Sequence, residues 1–331
     1  MDSVTQALLG GATALVVTRG KSPRKAVLWG AAIATLPDLD VLIPHGNALD
    51  RIVSHRTWSH SWLVHSAVAP LLAAVLRRLE PTWSFTTCLL LVWVALITHS
   101  GLDACTVYGT DLFWPLAKST VIGGNVFIID PIYTLFLLMA CGLALIRPLS
   151  DRVWIFSTLM LTVSSLYLVW GLIAQTSIHQ QAADSLAQQG IQPEKVLVQA
   201  TPFNTLLWRI LAIEQDHYYE GFRSVLDRED KITFTKHPRN LRLLESLDNS
   251  HTTKQLKHFN HGYYALDQQN NQIIANDLRM GTEPFYVFQF LIAERDQNGT
   301  QLVVPEKLAG PDIPADFFQQ MWRRIFNVDI Q

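Results

Sequence analysis

Two long apolar runs, residues 126–146 and 153–175, constrain this chain more than anything else in it. A bilayer span needs about 20 predominantly apolar residues, and both runs meet that length. Four shorter apolar stretches precede them, at 4–18, 26–43, 62–76 and 84–100. The stretch at 84–100 is a further span candidate. The first three are short or carry polar groups, as tilted spans, re-entrant pieces or buried helices do.

The rest of the chain has a different composition. Charged residues make up 16% of the whole, against about 25% in an ordinary soluble protein, and the deficit lies in residues 1–176. The tail is punctuated by strand-like pieces at 206–213, 217–226, 262–266, 272–275 and 285–294, with turns at 267–271 and 296–299. Residues 315–326 read as an amphipathic helix, and the Gln-rich stretch 178–195 as a linker or stalk helix. The expectation is a membrane protein with two domains. Residues 1–176 form a mostly α-helical membrane region of about four to six helices. Residues 177–331 form an extramembrane α+β domain.

Charge also gives an orientation. Arg19, Lys21, Arg24, Lys25, Arg77, Arg78, Arg147 and Arg152 fall on one side if all six stretches cross, and Arg51, Arg56 and Lys118 on the other. The positive-inside bias places the first group in the cytoplasm. The first stretch reads as retained rather than as a signal peptide, because Asp2 stands where a positive n-region belongs. A net charge of -2 gives no reason to expect nucleic acid. The three cysteines are scattered and imply neither a disulfide framework nor a cysteine-rich zinc site.

Imidazoles and carboxylates collect at the ends of these stretches, on the side opposite the cations. His99 and Asp103, four residues apart, share one helix face and can converge on one point. Alone, they could equally be a helix-end histidine and a solvated aspartate. Asp38 and Asp40 could be a helix stop and turn; beside the other clusters, one would ligate a metal and the other orient a ligand. His55-Arg56-Thr57-Trp58-Ser59-His60-Ser61 is too dense in polar groups for packing to explain. Arg56 offers a planar fork for phosphate or carboxylate, and the bland alternative is a headgroup-binding loop. His65 reads as structural. Asp130 before Pro131 suits a helix cap or an outer contact of the site. Tyr108, Phe113 and Trp114 fit an interfacial aromatic belt. A divalent metal is what neutral imidazole and carboxylate bind together.

The motifs Leu36-Pro37-Asp38-Leu39-Asp40, His55-Arg56-x-x-Ser59-His60-Ser61, Thr98-His99-Ser100-x-Leu102-Asp103, Tyr108-Gly109-Thr110 and Phe113-Trp114-Pro115 together resemble the bacterial membrane-bound metal-dependent hydrolase family. That family has been linked to zinc-dependent phospholipase C and the single-strand-specific zinc nucleases. The resemblance covers residues 1 to about 135. It implies a helical metal-binding region and hydrolysis of a phosphate ester. It also implies metal ligands drawn from Asp38 or Asp40, His55, His60, His99 and Asp103. One departure stands out. Family members often carry a histidine in the first helix, where this chain has Thr5-Gln6-Ala7-Leu8, and Gln6 is a poor ligand.

The leading expectation is therefore a multi-pass hydrolase of the bacterial inner membrane. Zinc, with manganese the alternative, is held by Asp38, His55, His60, His99 and Asp103. The metal activates water, Asp40 takes the proton, and Arg56 steadies charge on a phosphoryl oxygen. Position at the membrane face makes membrane lipid the partner and a lipid or lipid-linked phosphate the substrate. The site and the tail domain are expected on the non-cytoplasmic side. The rivals are a non-catalytic membrane protein whose tail domain binds an envelope partner, and a transporter. Clusters at helix ends rather than at the membrane midplane count against the transporter.

Overall fold

A computed structural model describes residues 1–117, 119–148, 152–228, 231–247, 250–297 and 299–326, with the side chains of residues 246 and 296 left out. Lys118 and part of the turn at 296–299 therefore lie outside the described residues. The chain divides into two compact units. The first holds residues 1–43, 55–173 and 202–205, and the second holds 44–54, 174–201 and 206–331.

In chain order the helices up to residue 188 are α1 (Ser3–Val17), α2 (Pro23–Ala34), α3 (Ala48–Ser54), α4 (Trp62–Leu79), α5 (Phe85–Ala104), α6 (Pro131–Ile146) and α7 (Val153–Gln188). Several starts have a local cause. Asp2, Ser61, Ser84 and Asp130 cap α1, α4, α5 and α6 by accepting hydrogen bonds from backbone N–H groups of the first turn. Pro23 and Pro131 occupy first-turn positions that lack an intrahelical acceptor anyway.

Helices α1 and α2 cross at two glycines. A Cβ on Gly10 would lie 2.3 Å from the Gly30 carbonyl oxygen, and one on Gly30 would lie 2.2 Å from that of Gly10. Small residues let two backbones approach this closely. Around this crossing an apolar core is built from Leu9, Leu15, Ile33, Leu91, Val92 and Leu137, among others.

Among the described residues, three helices are long and apolar enough to cross a membrane: α4, α5 and α7. That is fewer spans than the four to six expected. The run at 126–146 yields only the 16-residue α6, because Asp130 and Pro131 start the helix there and leave 126–129 outside it. Conversely, the stretch at 62–76 reaches 18 residues.

The second unit is built on two antiparallel sheets. One has the order β1-β2-β3-β4, from β1 (Lys195–Ala200), β2 (Leu207–Ile213), β3 (His217–Ser224) and β4 (Phe234–Pro238). The other has the order β10-β9-β6-β5, from β5 (Tyr264–Gln269), β6 (Gln272–Asp277), β9 (Gln289–Asp296) and β10 (Gly299–Lys307). A short pair, β7 (Gly281–Thr282) and β8 (Phe285–Tyr286), with helices α8 (His251–Phe259) and α9 (Phe317–Ile325), completes the unit. The expected strand at 285–294 is two strands, β8 and β9. The polar stretch from 178 is helical as far as Gln188, as the end of α7. Leu49 of α3 is buried in the core of the second sheet beside Leu256, Ile273 and Phe290.

Candidate metal centre

Four side chains of the first unit meet at one point. Pro37 stops α2 from continuing and opens a 3-10 turn, Pro37–Leu42, that carries Asp38 and Asp40. A second 3-10 turn, Trp58–His60, presents His60 just before α4. The last turns of α5 carry His99 and Asp103 on one face. Asp38, His60, His99 and Asp103 each offer a ligand atom, all within 4.8 Å of one another.

The individual separations are more telling. His60 Nε2 lies 3.2 Å from His99 Nε2, 3.2 Å from Asp103 Oδ2 and 3.4 Å from Asp38 Oδ1. His99 Nε2 lies 3.5 Å from both Asp38 Oδ1 and Asp103 Oδ2. Ligands about 2.0–2.1 Å from a tetrahedral ion sit roughly 3.3 Å apart, so this nitrogen and oxygen set fits zinc or another small divalent cation. His60, His99 and Asp103 are fully buried; Asp38 retains 24% exposure and gives the cluster its access.

His60 is held by a chain of hydrogen bonds. Ser59 Oγ donates to Asp40 Oδ2 at 2.5 Å, which commits its single proton. At 3.0 Å from His60 Nδ1, the hydroxyl can then only accept, so Nδ1 carries a proton and Nε2 is the nitrogen that faces the cluster. Asp40 also receives His55 Nδ1 at 2.7 Å and the Arg56 backbone N–H at 3.3 Å. His55 thus lies on Asp40, outside the group of four. Of the two carboxylates, Asp38 faces the imidazoles and Asp40 supports one of them from behind.

Electrostatics follow from these contacts. Burial alone would raise the Asp38 carboxyl, but hydrogen bonds from His60 and His99 outweigh it and hold the group well below the usual range. Burial likewise works against Asp40, and His55 brings it below its ordinary value. Burial favours neutral His60, yet Asp103 and Asp38 outweigh that and raise its pKa.

Asp103 is divided between two roles. Its Oδ1 contacts the Met1 α-amino group, Gln6 Nε2 at 3.0 Å and Arg56 Nη2 at 3.1 Å. Its Oδ2, buried without a hydrogen bond, faces the two imidazoles. Gln6 also donates to the His99 carbonyl at 3.2 Å, while its own Oε1 is buried without a partner. The glutamine in the first helix therefore sits in the site and grips Asp103 there. Arg56 is buried in a left-handed backbone conformation (φ 63°), unusual for a residue with a side chain. Its guanidinium donates to Thr106 Oγ1 at 3.2 Å and lies 4.7 Å from the Tyr108 ring centroid, with Nε unpartnered.

Two supporting residues, Ser59 and Thr106, are not distinguished by the sequence. Ser59 belongs to the dense motif, but its role depends on a pairing with Asp40 that no spacing reveals; Thr106 carries no signal. Tyr108 packs on Arg56 and His55. His65 joins Ser59 O at 2.8 Å to Ser100 Oγ at 3.5 Å, both from within the protein. Asp130 caps α6 and accepts from Tyr167 Oη at 2.9 Å.

Residues 1–178, which contain the whole cluster, match the family described as YdjM inner membrane protein. Inner membrane protein YbcI of Escherichia coli (strain K12) is 36% identical over 93 residues, which are 28% of this chain and 53% of that protein. The chain spans about half the length of this curated relative. No solved structure matches. These relatives point to the inner membrane and carry no statement of hydrolysis. The match extends over more than half of the sequence, and the chain belongs to the YdjM inner membrane protein family.

Proposed function

We propose that this protein is a metal-dependent hydrolase of a phosphate ester at the membrane, with Asp38, His60, His99 and Asp103 holding one divalent ion. The observation that carries this reading is the set of 3.2–3.5 Å separations among buried imidazole and carboxylate atoms. When bound, such an ion supplies Lewis acidity toward water and toward a phosphoryl oxygen. Water oxygen bonds to phosphorus as the ester P–O bond breaks, and the leaving oxygen takes up a proton that water gives up and departs as an alcohol. Arg56 stabilises charge on the phosphoryl group. Asp38, the exposed member, lies where a substrate enters. Asp40 and Ser59 fix the His60 tautomer, and His55 steadies Asp40. A non-cytoplasmic location of the site, from the distribution of Lys and Arg, is part of the same proposal.

Elemental analysis of the detergent-purified protein tests the reading. Wild type is expected to hold near-stoichiometric zinc or manganese, lost in His99→Ala and Asp103→Ala, with a phosphatase activity that follows the metal. Absence of metal from folded wild type after reconstitution overturns the reading. A structural polar cluster beside a partner-binding tail domain would then be the better description.

A further inference from the structure

An apolar groove lies beside the candidate metal centre, against two of the residues that support His60. This open groove has a volume of about 340 Å³, at the small end of the range of ligand pockets. Its polar end is formed by Asp40, Ser59 and His65. Asp40 and Ser59 are the groups that hold His60, and His65 bonds the Ser59 carbonyl. From there the lining is hydrocarbon. Val64, Val68 and Leu72 form one wall. They are spaced by four residues, so they make a single stripe down α4 about 12 Å long. Leu39, 51% exposed, also lines the groove, from the turn that carries Asp38.

The composition of the groove selects its occupant. Water in so apolar a channel would find few hydrogen-bond partners. The wall belongs to a helix long and apolar enough to cross a membrane, so hydrocarbon is the medium available to fill it. The one exposed ligand, Asp38, is flanked in sequence by Pro37 and Leu39, both of which line the groove. A molecule that fills the channel and reaches the cluster therefore needs an apolar tail joined to a group that a cation and Arg56 attract.

We infer that this groove takes one hydrocarbon tail of a membrane lipid whose phosphate lies at the candidate metal centre. The inference rests on the hydrolase reading for the fate of the phosphate, but the tail site itself is tested by binding.

The experiment uses the full chain in lipid nanodiscs containing phosphatidic acid with a photoactivatable diazirine in its tail. Adducts are mapped by mass spectrometry. Labelling is expected to concentrate at Val64, Val68, Leu72 and Leu39, above that at Leu71, which is 67% exposed and outside the groove. Unlabelled dioleoyl phosphatidic acid should remove the excess, and glycerol 3-phosphate should not. Val68→Trp, which fills the channel, should reduce groove labelling to the level at Leu71 while leaving bound metal unchanged. Equal labelling of Leu71 and the groove in wild type overturns the tail site, whatever the variant does. Metal-dependent release of phosphate from the same lipid is measured in parallel. Groove labelling without turnover rejects the hydrolase reading alone; turnover without groove labelling rejects the tail site alone.

Discussion

Both units of this protein bury charge, and they do so in opposite ways. In the second unit Arg279 and Asp277 are fully buried and close on each other through three side-chain bonds, Nη2–Oδ2 at 2.6 Å, Nε–Oδ1 at 3.0 Å and Nε–Oδ2 at 3.3 Å. Arg209 grips Glu220 at 2.6 Å and the Leu278 carbonyl at 2.6 Å, while Thr282 donates to the same Glu220 oxygen at 2.8 Å. Apart from Arg209 Nη2, these groups satisfy one another. In the first unit the buried cluster leaves Asp103 Oδ2, His99 Nδ1, Arg56 Nε and Gln6 Oε1 without hydrogen bonds. It also turns two imidazole nitrogens toward each other at 3.2 Å. Unmet polar groups in an interior are costly. A set that is closed serves the fold; the open set is the one to which the proposed ion would be added.

The contrast can be broken from either side. Asp277→Ala should have the largest effect, because it removes the carboxylate that the buried Arg279 guanidinium grips. Removing one partner of a buried pair costs about 3–5 kcal/mol, so chemical denaturation should show the second unit strongly destabilised, with bound metal unchanged. A mild effect would mean that the closed pair matters little to the fold. Ser59→Ala tests the open set. Loss of an outer contact to a metal-binding histidine lowers affinity about 10–100-fold, so competition with a chelator should show a shift of that size and an unaltered melting transition. An affinity equal to wild type would show that Ser59 does not fix the His60 tautomer. An effect confined to acid pH is expected at His261, whose pKa is pushed down to about 4, chiefly by burial. The unfolded chain protonates near pH 6.5, whereas the folded one resists until about 4. The stability of the second unit should therefore be full above that window and decline as pH falls through it. His261→Asn, which suits the local φ of 53°, should flatten the decline. An unchanged pH profile would assign the acid sensitivity elsewhere.

Part of this is legible in the sequence. Apolar run lengths locate the helices, and the four-residue spacing of His99 and Asp103 is enough to put them on one face. The choice between Asp38 and Asp40 is not legible, because a 3-10 turn aims residues two apart in different directions and only the arrival of His60 and His55 decides which does what. His55 and His60 are equally rich signals in the same motif, yet one binds Asp40 and the other faces the cluster. The strands β4 and β10 give little signal, because their apolar content is modest and their pairing is tertiary. Run length misleads about spans where a cap moves a boundary, as Asp130 does for α6.

The glycine crossing of α1 and α2 has a consequence for heredity rather than chemistry. Four residues before Gly10 lies Gln6, and eight after Gly30 lies Asp38, so the crossing sets the spacing of two elements that feed the cluster. Gly10 and Gly30 bind nothing, yet any side chain there would force the two backbones apart. A mutational scan scored by metal uptake should rank these two positions among the least tolerant in the protein, beside Asp38, His60, His99 and Asp103.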